Sequence, residues 1–212
     1  MFEPRIKGNE ENIEEACKII ANAKKPIFYI GGGCINSGPK ASELVRNFVT
    51  ETGAPATMTL MGLGVLPSSN QFSLGMLGMH GMYEANLAMH ECDVMINIGA
   101  RFDDRVTGRL DAFSPNSKKI HIDIDASNIN KNIKVDIPIV GDVESIMNQI
   151  EKSWKKNNYF TNKDAIKSWW LKIEEWKKID CLNFEQKGDI IKPQHAIKRL
   201  YELTKNKKTS FV

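Results

Sequence analysis

Several segments of the chain place glycine, an acid or a guanidinium directly after a run of apolar residues. Gly31-Gly32-Gly33 follows the run at 26–30, and Gly99-Ala100-Arg101 follows the run at 94–98. Asp123 and Asp125 close the segment 119–124, and Gly141-Asp142 follows 137–140. In an open α/β sheet, ligands sit just beyond the carboxyl ends of the strands. Glycine there lets backbone approach a phosphate closely, and a following helix N-terminus favours the phosphate charge. A guanidinium grips phosphate in a bidentate fashion, and a carboxylate accepts hydrogen bonds from ribose hydroxyls. Together these types suit nucleotide binding. Taken singly, each glycine also suits a tight strand-to-helix turn, and Gly31–Gly33 lacks the G-x-G-x-x-G spacing. The loop 99–108, with Arg101, Asp103, Asp104 and Arg105, also fits a salt-bridged surface loop.

Such tips need strands to carry them and helices to space them. Apolar periodicity predicts helices at 10–23, with Asn9 as N-cap, and at 39–52, 82–91 and 142–155. Strands are predicted at 26–30, 54–59, 94–98, 119–124 and 137–140. Their continuous apolar runs, alternating with helices on short connections, imply a doubly wound α/β domain with a parallel sheet buried on both faces. It covers roughly 10–156. The Gly- and Met-rich stretch 60–81 reads as loops with short elements. Beyond it, 163–178 forms a basic helix carrying Trp169, Trp170 and Trp176, whose apolar face fits a neighbouring domain or subunit. A last helix begins at Pro193, its first position. Residues 209–212 read as the opening of a further strand, as though the chain were part of something longer.

A chain of 212 residues supports one sizeable core. No apolar stretch is long enough to span a bilayer, and no signal segment opens the chain, which points to the cytoplasm. Cys17, Cys34, Cys92 and Cys181 form no C-x-x-C pair, which suits reduced thiols. Neither they nor His80, His90, His121 and His195 show metal-ligand spacing, so no metal site is expected in this chain. Residues 1–150 carry 14 Lys/Arg against 18 Asp/Glu, whereas 151–212 carry 15 against 8. The basic residues of the second part alternate with acids and aromatics along helices. A solvated helical face therefore ranks above a nucleic-acid site, and neither nucleic acid nor a membrane is expected as a partner.

Four strings go further: GARFDDRVTG at 99–108, LGMHG at 77–81, TLMGLG at 59–64 and KIHIDIDASNINK at 119–131. They resemble the middle domain of acetolactate synthase (acetohydroxyacid synthase) large subunits, over about 4–212. The resemblance implies a Rossmann-like central domain at 1–156 that holds FAD in an extended pose, the flavin being largely structural. A helical linker and the start of the next domain would occupy 157–212. Gly31, Gly32 and Gly33 would then line the ADP phosphates and ribose. Thr59, Leu60 and Met61 would touch the middle of the cofactor, and Leu77, Gly78, Met79 and His80 would lie along the flavin. Gly99, Ala100, Arg101, Asp103, Arg105 and Val106 would complete the site. Asp123, Ile124 and Asn128 would hold the adenosine end, with Gly141, Asp142 and Val143 close by. Met79, Asp104 and Arg105 would also face the substrate channel, Arg105 near the second 2-keto acid.

The family's reaction joins two molecules of pyruvate, or pyruvate and 2-oxobutanoate, with loss of CO2. It opens branched-chain amino-acid synthesis. The resemblance places thiamine diphosphate and Mg2+ in neighbouring N- and C-terminal domains of the same chain, within a homodimer or tetramer joined by a small regulatory subunit. The diphosphate motif G-D-G is not matched here, since Gly188-Asp189 is followed by Ile190. No catalytic residue is therefore expected in this chain, which is read as a fragment inactive alone. Three other readings stay open: a related carboligase such as glyoxylate carboligase, a ligand-free bridging module, and an independent NAD-binding protein.

Overall fold

A computed structural model describes residues 6–205. The strand expected at 209–212 lies outside the described residues. Two compact units emerge, divided between Ile179 and Asp180.

The first unit opens with helix α1 (Glu10–Asn22), strand β1 (Pro26–Ile30), short helix α2 (Gly32–Ser37) and α3 (Pro39–Thr52). It continues through β2 (Ala56–Met58), β3 (Ser73–Met76), α4 (Tyr83–Glu91), β4 (Val94–Ile98) and the one-turn α5 (Asp104–Thr107). Strands β5 (Lys118–Asp123) and β6 (Ile137–Val140) follow, then helices α6 (Val143–Lys156) and α7 (Lys163–Lys177). Capping follows the residue types: Asn9 accepts from Asn12 N, Asp142 from Ser145 N, and Asn162 from Asp164 N and Ala165 N.

All six strands are parallel, in the order β3-β2-β1-β4-β5-β6. The five residues of β1 and of β4 are buried throughout, as two covered faces require. Phe28, Ile30, Ile96, Ile98, Ile120 and Ile122 face the core formed with α1, α3 and α6. Ile27, Tyr29 and Met95 face the opposite core, with Ala85 and Ala88 of α4 and Trp169 and Ile173 of α7. The doubly wound α/β fold expected from the sequence is the one observed.

Three elements were not expected. Strand β3 lies within 60–81, and α2 and α5 occupy segments read as turns. A larger difference concerns α7. Its apolar face does not await a neighbour, because Trp169 (2% exposed) and Ile173 (0%) are packed on the domain's own sheet and α4. The compact unit therefore runs through Ile179, past the expected boundary at 156.

The second unit contains α8 (Pro193–Thr204), with Pro193 in its first turn. Ile190, Ile191, Ile197, Leu200, Tyr201 and Leu203 are exposed there.

Among the described residues, no helix is long and apolar enough to cross a membrane, and no group of three His, Cys, Asp or Glu side chains is placed to hold a metal ion. Cys17, Cys34 and Cys92 are buried, whereas Cys181 is exposed. Burial pushes the Cys17 and Cys92 thiols up to about 11 and the Cys34 thiol up to about 12. A raised value keeps each thiol protonated, and hence unreactive, at all pH values well below it. At pH 8 the native protein is expected to consume one equivalent of a chromogenic disulfide reagent quickly, and all four only after denaturation. Rapid reaction of a second thiol would show that a core face opens in the native state.

Candidate functional site

The strand order sets where the site falls. The chain moves outward from β1 to β2 and β3 on one side, and from β4 to β5 and β6 on the other. The crossovers diverge between β1 and β4, and a crevice opens beyond their carboxyl ends at such a switch point. Two turns meet there. Gly31 N donates to Ile98 O (2.9 Å), Gly33 N to Gly99 O (3.0 Å) and Gly99 N to Ile122 O (2.8 Å). A Cβ on Gly31 would stand 2.1 Å from Gly99 O, and one on Gly33 would stand 2.7 Å from Gly99 Cα. Backbone meets backbone at this point, and only glycine permits the approach. Gly99 itself takes φ +67°, in the left-handed region.

The flanking strands supply the rest of the rim. After β2, Thr59 N donates to Ile30 O (2.9 Å), and its side chain accepts from Gly62 N (3.1 Å). This turn holds Leu60 and Met61 exposed, with Met61 against Gly32. After β3, Leu77 is buried, and Gly78 is tied in both directions to Asn86 of α4: Gly78 N donates to Asn86 Oδ1 (2.8 Å) and Asn86 Nδ2 to Gly78 O (2.9 Å). Met79 and His80 project outward, and Met79 N donates to Arg105 O (2.9 Å), joining this loop to α5.

After β4, buried Ala100 is followed by Arg101, whose Nη2 contacts Asp103 Oδ2 at 2.6 Å on the surface. Between them Phe102 takes φ +55°, uncommon for a bulky residue, and buries its ring against Tyr29, Phe113 and His121. Burial, then the Asp103 carboxylate, pushes the Tyr29 hydroxyl far above its ordinary value, so it stays protonated. Met79, Asp104, Arg105 and Val106 converge on a cleft of about 410 Å3, together with Asn86, His90 and Phe113. The three residues expected to face a substrate channel are thus brought together. Asn86 and His90 join them unannounced by the sequence, where they read as the polar side of a helix.

One strand further, Asp123 accepts from Asp125 N (2.9 Å) and Asn128 Nδ2 (3.3 Å), beside exposed Ile124. At β6, two strands from the switch point, Gly141 is covered by the backbone of Ile6, Val143 is buried in the core, and Asp142 caps α6 while accepting from Ser37 Oγ (2.7 Å). Ser37 ends α2, so that contact links this corner to the turn after β1.

The sheet order defines a doubly wound α/β domain in which the turns after β1 and β4 meet at the switch point. The chain belongs to the family described as the thiamine pyrophosphate enzyme central domain, whose model matches residues 13–150. It is 44% identical over 211 residues to the acetolactate synthase large subunit of Buchnera aphidicola subsp. Schizaphis graminum, covering 100% of this chain and 36% of that protein. It is 40% identical over 204 residues to acetolactate synthase isozyme 3 large subunit of Escherichia coli K12, covering 96% of this chain and 35% of that protein. With acetolactate synthase 1, chloroplastic, of Nicotiana tabacum it shares 41% identity over 196 residues, covering 92% of this chain and 29% of the relative. The chain thus spans about a third of the length of these relatives.

Proposed function

We propose that this chain is the central domain of an acetolactate synthase catalytic subunit and that it binds FAD across the crevice between β1 and β4. The observation that carries this reading is the contact of Gly31 and Gly33 with Gly99, where main chain packs on main chain and the nearest side-chain atom is the small Ala100 Cβ. A diphosphate fits such a surface, because it can approach the backbone closely. The flanking groups extend the fit: Arg101 beside the phosphates, Met61 and Leu77–His80 along the flavin, and Asp123 with Asn128 at the adenosine ribose. Gly141, Asp142 and Val143 would close the adenosine end from β6. The flavin, when bound, would be largely structural.

On the same reading, the whole enzyme converts two pyruvates, or pyruvate and 2-oxobutanoate, to a branched hydroxy keto acid and CO2. It works in the cytoplasm as a homodimer or tetramer with a small regulatory subunit. Thiamine diphosphate and Mg2+ belong to its other two domains. This chain's contribution to the reaction is the cleft at Met79, Asp104 and Arg105, where the exposed Arg105 guanidinium would attract the carboxylate of the second keto acid.

The test is a thermal-shift and fluorescence titration of the 212-residue chain with FAD, ADP and NAD. Saturating stabilisation by FAD is expected, about 2.7 kcal/mol at a hundred times the dissociation constant. ADP should give a weaker shift and NAD none. A shift from NAD alone would replace the flavin reading with that of an NAD-binding protein. No shift from any of the three would mean that the isolated chain holds no formed dinucleotide site.

A further inference from the structure

Beneath the Gly99–Ala100–Arg101 turn lie two polar side chains that a buried sheet face does not call for. Asn97 on β4 and His121 on β5 are both 0% exposed and are paired across the two strands. They share the face occupied by Ile27, Tyr29 and Met95. Both reach the same group, the Ala100 carbonyl, with Asn97 Nδ2 at 2.8 Å and His121 Nε2 at 2.9 Å. Ala100 N in turn donates to Asn97 Oδ1 (3.1 Å), so Asn97 clamps both ends of that residue. A carbonyl only accepts, so His121 carries its proton on Nε2. Its Nδ1 then lies buried with no hydrogen-bond partner. An unmet buried nitrogen costs about 1–3 kcal/mol, and an apolar ring of similar shape would avoid that cost. In return the histidine supplies the hydrogen bond to Ala100, with Asp123 Oδ2 3.7 Å from the same nitrogen.

Ala100 is also the wall on which the β1 turn leans: a Cβ on Gly31 would lie 2.6 Å from Ala100 Cα and from Ala100 Cβ. We propose that Asn97 and His121 are positioning residues that fix the Gly99–Ala100–Arg101 turn, and so set the width of the crevice in which the dinucleotide diphosphate lies. The proposal rests on the dinucleotide reading of that crevice. Both side chains are fully buried, so their route to a ligand is indirect. Both act through the Ala100 peptide, holding it in place before binding so that binding does not have to order it.

Three variants separate this role from simple core packing. Asn97→Leu keeps the shape and removes both clamps. His121→Phe keeps a ring and removes the donor. His121→Gln restores a donor at a similar reach. Two readouts are taken at a temperature where circular dichroism shows each variant folded: amide hydrogen exchange without ligand, and FAD affinity by flavin fluorescence. Asn97→Leu and His121→Phe are expected to speed exchange across 99–101, at Ala100 most of all, and to weaken FAD binding about tenfold or more. His121→Gln should recover most of both effects. Unchanged exchange at Ala100 would overturn the proposal, as would protection lost evenly over the sheet with FAD affinity intact. Should Asn97→Leu fail to fold, the His121→Phe and His121→Gln pair decides alone, and Asn97→Ser takes its place if the His121 variants fail. If the unaltered chain binds no FAD, the dinucleotide reading falls separately, and local exchange at 99–101 still decides whether these residues hold the turn.

Discussion

Gly31→Ala is expected to lower the unfolding free energy by about 3 kcal/mol, at the upper end of ordinary overpacking, and, on the proposed dinucleotide reading, to abolish FAD binding. The backbone conformation is not the obstacle: Gly31 sits at φ −111° and ψ −179°, which any residue adopts. The obstacle is space. The added methyl would stand 2.1 Å from Gly99 O and 2.6 Å from Ala100 Cα, and both are main-chain atoms fixed by strand β4. No flexible side chain is available to yield, so the turns after β1 and β4 must separate. Their hydrogen bonds, from Gly31 N to Ile98 O and from Gly33 N to Gly99 O, are lost or stretched as they do. The control is Gly53→Ala. Gly53 ends α3 at φ +69°, and its nearest neighbour to an added Cβ is an Ile166 methyl at 3.6 Å. There only the left-handed conformation is penalised, by about 1 kcal/mol, and FAD affinity should not change. Urea unfolding with equal slopes, alongside the flavin titration, measures both variants. A Gly31→Ala protein as stable as its parent would show that the two turns do not touch as described.

The same glycines show how far the amino-acid sequence reaches. PIFYI followed by GGG announces a buried strand and a close backbone approach, because five consecutive apolar residues have no solvated face to mark. That Gly31 meets Gly99, 68 positions away, depends on β1 lying beside β4, and strand order is a tertiary property. Strand β3 was illegible for a local reason: Ser73-Leu74-Gly75-Met76 has only one fully buried residue and a glycine at φ +71°, and its pairing with β2 shifts register. Helix α2 opens with two glycines and ends in Asn36-Ser37, all poor helix formers, so its contacts with α3 and the turn after β2 must hold it. Asp142 follows a strand and a glycine, where an aspartate serves equally as a ligand contact and as an N-cap, and only the structure shows that it caps α6. Asn97 and His121 carried no signal at all. Inside apolar runs, a single Asn or His looks like an interruption until its hydrogen-bond partner is known.

Trp169→Ala is expected to cost about 4 kcal/mol, the range for deleting a buried aromatic ring. The three tryptophans of α7 invite the reading of an outward apolar face, since a basic helix after a complete α/β domain has no evident place on it. Their positions contradict that. Trp169 is buried to 2% exposure, its Nε1 donates to Pro26 O at the start of β1 (3.1 Å), and Trp176 packs edge-on against it at 5.6 Å. Trp170 Nε1 reaches Gly53 O at the end of α3 (2.8 Å). With Ile173, these side chains close the face of Ile27 and Met95, the same face on which Asn97 and His121 hold the crevice turn. Trp169→Phe keeps most of the apolar contact and loses the hydrogen bond, so about 1 kcal/mol is expected from the lost bond, with a further part from the smaller ring. The measured quantity is the urea midpoint at constant slope. An unmoved midpoint for Trp169→Ala would mean that α7 is only laid on the domain and that the folded unit ends near 156. A loss of the expected size would place α7 in the core beneath β1 and β4, so that a chain ending near 156 would lose that support.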